Sequence, residues 1–195
     1  YPSPGLPLKE NMIFQGEPHP AENSYAHAKR AMLAMLHAYE ESYGIDWAYI
    51  VSCNLFGPRD KFDTEFGHVV PSLIKKMYDA KKNNTQVVVW GNGSAKRDFM
   101  YVKDAAQAAV EIMENLNGSV NLGSGDVFSI KEIVEELSEI TGMKGRIVWD
   151  ANKPNGQDYR AYDLTKLKSI DFNCKYSVIA GLEETWDWYA TNVDK

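Results

Sequence analysis

The sequence predicts an α/β fold arranged around a largely parallel sheet. Short β-rich apolar runs alternate with longer segments of helical period, and Gly or Pro breakers separate them. The 195 residues are 44% hydrophobic and 25% charged, enough for one well-buried domain, or one domain plus a fragment of another.

The first stretch, "YPSPGLPLKENMIFQGEPHP", carries five prolines and no apolar period, and reads as loop. From Ala21, "AENSYAHAKRAMLAMLHAYEESYG" has good helix formers throughout, apolar recurrence at Met32, Leu33 and Leu36, and Gly44 as a stop. "DWAYIVSCNLFGP" is an apolar β-rich run closed by a Gly-Pro breaker, the pattern of a buried parallel strand. "HVVPSLIKKMYDAKK" is predicted helical after Pro71, and "TQVVVWGNG" is a strand and turn. "RDFMYVKDAAQAAVEIMENL" is a strand running into an amphipathic helix, and "GSVNLGSG" is a further strand. "SIKEIVEELSEITG" opens on a Ser129 cap and places Ile130, Ile133, Val134, Leu137 and Ile140 on one face. "KGRIVWD" is a strand and "AGLEETWDWYATNV" a closing helix.

Several function classes are disfavoured. A net charge of −6 argues against a nucleic-acid surface, which normally shows a basic excess. No apolar run reaches the roughly 18 to 20 residues of a membrane span, and no signal-peptide pattern opens the chain. Cys53 and Cys174 are expected to be buried thiols of a reducing cytosol. His19, His27, His37 and His68 lack the companions of a metal site, so no metal is expected. The expected location is cytoplasmic.

Residue by residue the chemistry is ambiguous. Tyr25 and Lys29 lie four apart on one helix face, and an ammonium beside a phenol favours the phenolate needed for proton exchange with a hydroxyl or carbonyl. That spacing alone is commonplace. His68, at a loop-to-helix junction, reads more readily as a capping or packing residue than as a base. Arg97 suits phosphate or carboxylate, yet such arginines are usually solvated, and Trp90 on "VVVW" reads as core or as a stacking ring. "NLGSG", residues 121–125, lacks the spacing of a phosphate loop. "KPNGQD", residues 153–158, is a turn that could face a ligand.

The order of these signals is more telling than any one of them. "YP", "SYAHAK", "NLFGPRDKFD", "GHVVPSLIKK", "VVVWGNGSAKRDFMYVKDAA", "VNLGSG", "KPNGQDYRAYDLTKL" and "GLEETWDWY" follow one another along the whole chain. In this it resembles the extended short-chain dehydrogenase/reductases (the NAD-dependent epimerase/dehydratase superfamily), and within them the GDP-L-fucose synthase family, which are GDP-4-keto-6-deoxy-D-mannose epimerase-reductases.

The resemblance implies the C-terminal part of a Rossmann-like doubly wound parallel sheet plus a smaller α/β substrate-binding domain. Residues 1–60 would be the remainder of the dinucleotide-binding domain with its catalytic helix. Residues 61–195 would mainly bind the nucleotide-sugar, with some segments returning to the Rossmann sheet. Tyr25 resembles the catalytic proton donor, Lys29 its ribose-binding partner, and His68 the acid/base residue of epimerisation. Ser52, Cys53, Asn54 and Leu55, with Lys29 and His68, would lie against NADP, NAD being the alternative. Lys76, Trp90, Arg97 and Asn155 would contact a GDP-sugar, and a homodimer through the Tyr-Lys helix and its neighbour is implied. In the family the sugar is inverted at C3 and C5, beside the C4 ketone, which is then reduced.

The chain departs from the family pattern at Ser52, usually Pro, at Asn155, where "KPDG" becomes "KPNG", and over "QDYRAYD". No GxxGxxG-type pyrophosphate loop occurs, and the family's catalytic Ser and epimerisation Cys fall ahead of Tyr1. The chain thus reads as the second half of such an enzyme, inactive by itself. Another NAD(P)-dependent nucleotide-sugar epimerase and a noncatalytic nucleotide-sugar-binding fragment are the competing readings.

Overall fold

The computed structural model describes residues 1–2, 7–65, 67–153 and 155–193. Eight strands and six α-helices alternate along them: α1 Asn23–Tyr43, β1 Ala48–Ser52, β2 Asn54–Phe56, α2 Val69–Asn83, β3 Val87–Trp90, β4 Lys96–Tyr101, α3 Val102–Asn115, β5 Gly118–Leu122, β6 Val127–Ser129, α4 Ile130–Thr141, β7 Ile147–Asp150, β8 Tyr159–Arg160, α5 Thr165–Lys168 and α6 Val178–Asn192. The predicted α/β class is observed. All pairings are parallel except β4–β6: β1 pairs with β5, β2 and β8 with β4, and β3 with β7.

Local chemistry explains most boundaries. Gly44 ends α1 in the left-handed region at φ 64°, its N–H donating to the Glu40 carbonyl at 2.8 Å. Ser129 caps α4: its hydroxyl accepts the Glu132 N–H while the Glu132 carboxylate accepts the Ser129 N–H. Helix α2 starts earlier than expected, with His68 at the capping position and Pro71 already helical. Proline is tolerated in a first turn because its missing N–H would have no helical partner there. Helix α6 likewise starts at Val178, two residues early, because the Ser177 hydroxyl accepts the Ala180 N–H at 3.1 Å.

The run predicted as one strand is two. The chain leaves β1, paired with β5, and after Cys53 enters β2, paired with β4. Strand β4 separates two cores. Phe99 and Tyr101 point into one, built on α2, α4 and α6; Met100, on the opposite face, points into the other, with Val120 and Leu122 of β5 and Ala105, Ala108 and Ile112 of α3. Period-two alternation thus fills both sides of the strand over its buried residues, Asp98–Tyr101.

Over its described residues the proline-rich start is loop with two 3-10 turns, Glu10–Met12 and Pro20–Glu22; residues 3–6 of that expected loop lie outside the described residues. Its anchor is the fully buried Asn121 on β5. The Asn121 carboxamide donates to the Leu8 carbonyl at 2.8 Å and the Asp163 carbonyl at 3.1 Å, and accepts from the Tyr1 hydroxyl. The Asn121 N–H donates to Glu10 Oε1 at 2.9 Å. Every polar group of this buried side chain is used, which is the condition for tolerating it. Among the described residues, no helix is long and apolar enough to cross a membrane.

Candidate functional site

Two groups of side chains, joined by a pair of arginines, make up the site. The first surrounds the start of α1. Tyr25 is 67% exposed, and the Lys29 Nζ, one turn on, lies 5.6 Å from the centre of its ring. The Tyr49 hydroxyl of β1 donates to the Lys29 carbonyl at 2.9 Å, tying this helical turn to the sheet. A cavity of about 770 Å³ takes in Tyr25, Lys29, the Ser52–Leu55 junction, His68 and Arg160. The structure therefore gathers every residue expected at the catalytic and cofactor positions around one space.

His68 does not cap α2 with its side chain. The imidazole is 80% exposed, with Nδ1 3.8 Å from Asp60 Oδ1. Cys53 is buried; that burial, with the Asp98 carboxylate beside it, pushes the thiol well up and leaves it a packing residue. Cys174 is exposed, against expectation, because it falls in the loop between α5 and α6. Both are free thiols.

The second group gathers at the β3 end. Trp90, 47% exposed, is not a core residue: on β3 it is Val87 and Val89 that point inward. The Lys76 Nζ sits 5.0 Å and the Lys153 Nζ 5.4 Å from the Trp90 ring centre. Lys76 also donates to the Val88 carbonyl at 3.2 Å, and partial burial lowers its pKa. Asn155 Oδ1 accepts the Asn92 N–H at 2.8 Å. A Cβ added at Gly156 would lie 3.7 Å from Arg97 Nη2, so Lys153 lies by Trp90 and Gly156 by Arg97. The four residues expected to bind the nucleotide-sugar are brought together.

Arg97 and Arg160 join the groups. They are register partners across β4–β8, and Arg160 also lines the cavity beside Tyr25. Burial first, and then the charge of Arg160, lower the Arg97 pKa. Glu22, just before α1, lies with both carboxylate oxygens 3.4 Å from Arg160 Nη1. Nε and Nη2 of Arg30, which also lines the cavity, are buried without a hydrogen-bond partner among the described residues. Positive side chains thus run from α1 to Trp90.

The glycine-rich "NLGSG" loop does hold an anion, though it is the protein's own. The Asp98 carboxylate accepts from the Ser124 N–H at 3.0 Å, the Ser124 hydroxyl at 2.8 Å and the Gly125 N–H at 3.1 Å. Burial raises the Asp98 pKa and these donors oppose it.

Sequence reasoning missed Arg160 and Glu22, whereas Lys153 falls in the turn expected to face a ligand. Glu22 precedes Tyr25 by only three residues, and Arg160 follows the "KPNG" turn, but their pairing spans 138 residues and has no local signature. No group of three or more His, Cys, Asp or Glu among the described residues could hold a metal ion.

Residues 1–127 match the NAD dependent epimerase/dehydratase family. The chain belongs to that family. Among relatives, it is 39% identical over 190 residues to the probable GDP-L-fucose synthase 1 of Oryza sativa subsp. japonica, covering 96% of this chain and 58% of that protein. It is 33% identical over 201 residues to the GDP-L-fucose synthase of Escherichia coli K12, covering 97% and 63%. Among solved structures, the GDP-L-fucose synthetase of Naegleria fowleri bound to NADP superposes with a TM-score of 0.90 at 28% identity, covering 99% of this chain and 63% of that one. This member of the epimerase/dehydratase family therefore spans about three-fifths of the length of these relatives.

Proposed function

We propose that this chain forms the catalytic-helix and substrate-binding part of an NADP-dependent nucleotide-sugar epimerase/reductase acting on a GDP-4-keto-6-deoxy-hexose. One observation carries this reading: a single cavity takes in Tyr25, Lys29 and His68 and reaches Arg160, the register partner of Arg97. The likeness to GDP-L-fucose synthases supports the substrate class, and the NADP-bound neighbour supports the cofactor.

The donor set fits a nicotinamide nucleotide. The cavity offers a phenol, an ammonium for a ribose, and the neutral polar side chains of Ser52 and Asn54. When bound, NADPH supplies hydride for the C4 ketone. Hydrogens at C3 and C5, on either side of that ketone, are acidic enough for an imidazole base, and His68 serves as the acid/base on one face of the sugar, inversion requiring a second group that exchanges the proton on the opposite face. Tyr25 delivers a proton to the C4 oxygen, and the Lys29 ammonium favours the phenolate left behind. Arg97, Arg160 and Lys76 place positive charge for the diphosphate, while Trp90 and Asn155 face the base.

The two cores support the proposed division into residues 1–60 and 61–195, with α3 and β5 returning to the β1 side. Among the described residues β1 pairs with β5 alone, leaving an edge for further parallel strands of a cofactor-binding unit. Met32, Met35 and Tyr39 of α1 and Met113 of α3 are exposed, an apolar surface that suits a second copy. We place the protein in the cytoplasm, in keeping with its free thiols.

The test is calorimetric titration of this chain with GDP, UDP and NADPH, followed by NADPH-linked reduction of GDP-4-keto-6-deoxy-mannose by the full-length protein. GDP binding by the chain and turnover by the full-length protein are expected. Failure of the full-length protein to reduce the ketone overturns the assignment.

A further inference from the structure

The carboxamide of Asn155 is held in one orientation. Its Oδ1 accepts the Asn92 N–H at 2.8 Å. Turning the amide over would set Nδ2 against that N–H, donor against donor, so the hydrogen-bond network assigns the oxygen inward. The turn is shaped around this contact. Gly91 has φ 77°, which disfavours any other residue, and a Cβ there would overlap Asn155 Oδ1. Asn92 is held in its own turn, its Oδ1 accepting the Ser94 N–H at 2.9 Å.

Oδ1 keeps a second lone pair but is packed against Gly91, so what Asn155 turns to a ligand is Nδ2, which donates. Asn155 is exposed, and Trp90, half-exposed, immediately precedes the glycine against which the carboxamide packs. An indole face beside a fixed hydrogen-bonding edge is what reading a nucleobase requires: one surface to stack on and one group to test the ring's rim. The Lys76 and Lys153 ammoniums lie over the ring on flexible stems, Lys76 also donating to the Val88 carbonyl, and a stacking base would take their place there.

Building on the function proposed above, we infer that Asn155 is a specificity-determining residue that reads the base through a donated hydrogen bond, so that a 6-oxopurine is recognised by its carbonyl O6 and not by its 2-amino group. An aspartate at 155 would accept the Asn92 N–H with one oxygen and present the other as an acceptor, matching a purine's N1–H and 2-amino edge instead. The difference is one of polarity, with the shape of the turn unchanged.

The experiment compares calorimetric affinities of GDP, inosine diphosphate, which lacks the 2-amino group, and 2,6-diaminopurine riboside diphosphate, in which an amine replaces O6. GDP and inosine diphosphate should bind within about 3-fold of each other, and the diaminopurine analogue about 10-fold or more weaker, the size of one good base contact. In Asn155→Asp, inosine diphosphate should fall about 10-fold behind GDP. A native protein that already prefers GDP over inosine diphosphate by that margin, or that accepts the diaminopurine analogue as well as GDP, overturns the inference while leaving the proposed function standing. Binding of none of the three removes both. The comparison in the native protein stands even if the variant does not fold.

Discussion

Arg97 and Arg160 face one another across the β4–β8 pair, and the Glu22 carboxylate lies 3.4 Å from Arg160. Two guanidiniums on adjacent strands repel, and Arg97 shows it: burial and then Arg160 lower its pKa. Glu22 offsets part of that repulsion, and an anionic ligand would offset the rest.

Glu22→Gln therefore lowers stability by about 0.5–1 kcal/mol, the scale of a partly exposed ion pair. Added inorganic pyrophosphate should then raise the melting temperature of the variant more than that of the native protein. Equal shifts in thermal scans would show that Glu22 and the anion do not share the arginines.

Tyr25→Phe should cut reduction of the 4-keto sugar in the full-length protein by about 100-fold or more, the usual worth of a placed proton donor. Affinity for GDP should stay unchanged, since the phenol acts on the sugar. Steady-state kinetics with parallel calorimetry separates the two, and surviving reduction would remove Tyr25 from its role.

Asp98→Asn replaces an acceptor of three hydrogen bonds with a group that can offer only one oxygen to them. The new NH2 would meet the N–H groups of the 124–125 turn. A loss of about 1.5–3 kcal/mol is expected in urea unfolding, the value of hydrogen bonds to a charged group.

Ser129→Ala removes the hydroxyl that both caps α4 and bonds Glu132. The cost at neutral pH should be about 1 kcal/mol. The Ser129 hydroxyl and N–H hold the Glu132 carboxyl below its ordinary 4.5. Such a depressed group stabilises the fold above pH 4.5 and loses that contribution as pH falls through its lowered folded value. The variant should therefore lose less stability than the native protein between pH 4.5 and more acid conditions, as followed by circular dichroism.

What could be read in advance followed chain locality. The Ser129 cap, the Gly44 stop and the amphipathic face of α4 are set by residues a few positions apart, and they stand where expected. The start of α2 was misplaced because Pro71 resembles a boundary, whereas within a first turn it has no N–H to lose. The two-residue β8 has too short a pattern to announce itself, and it exists because β4 offers it an edge. At the site, the neighbours of Tyr25, Lys29 and His68 in sequence suggested grouping them, and one cavity takes in all three, with their roles resting on the proposal above. Glu22 and Arg160, far apart along the chain, meet only once β8 has docked.

Cys53 is where the chain passes from the β1–β5 ladder to the β2–β4 ladder, and the two cores share β4 as their common wall. Tyr25 precedes that crossing and Asn155 packs beyond it against the turn at Asn92, so a ligand spanning both would act as a cross-brace. Melting of either half would then require the ligand to leave first, and saturating it should raise the melting temperature of both together.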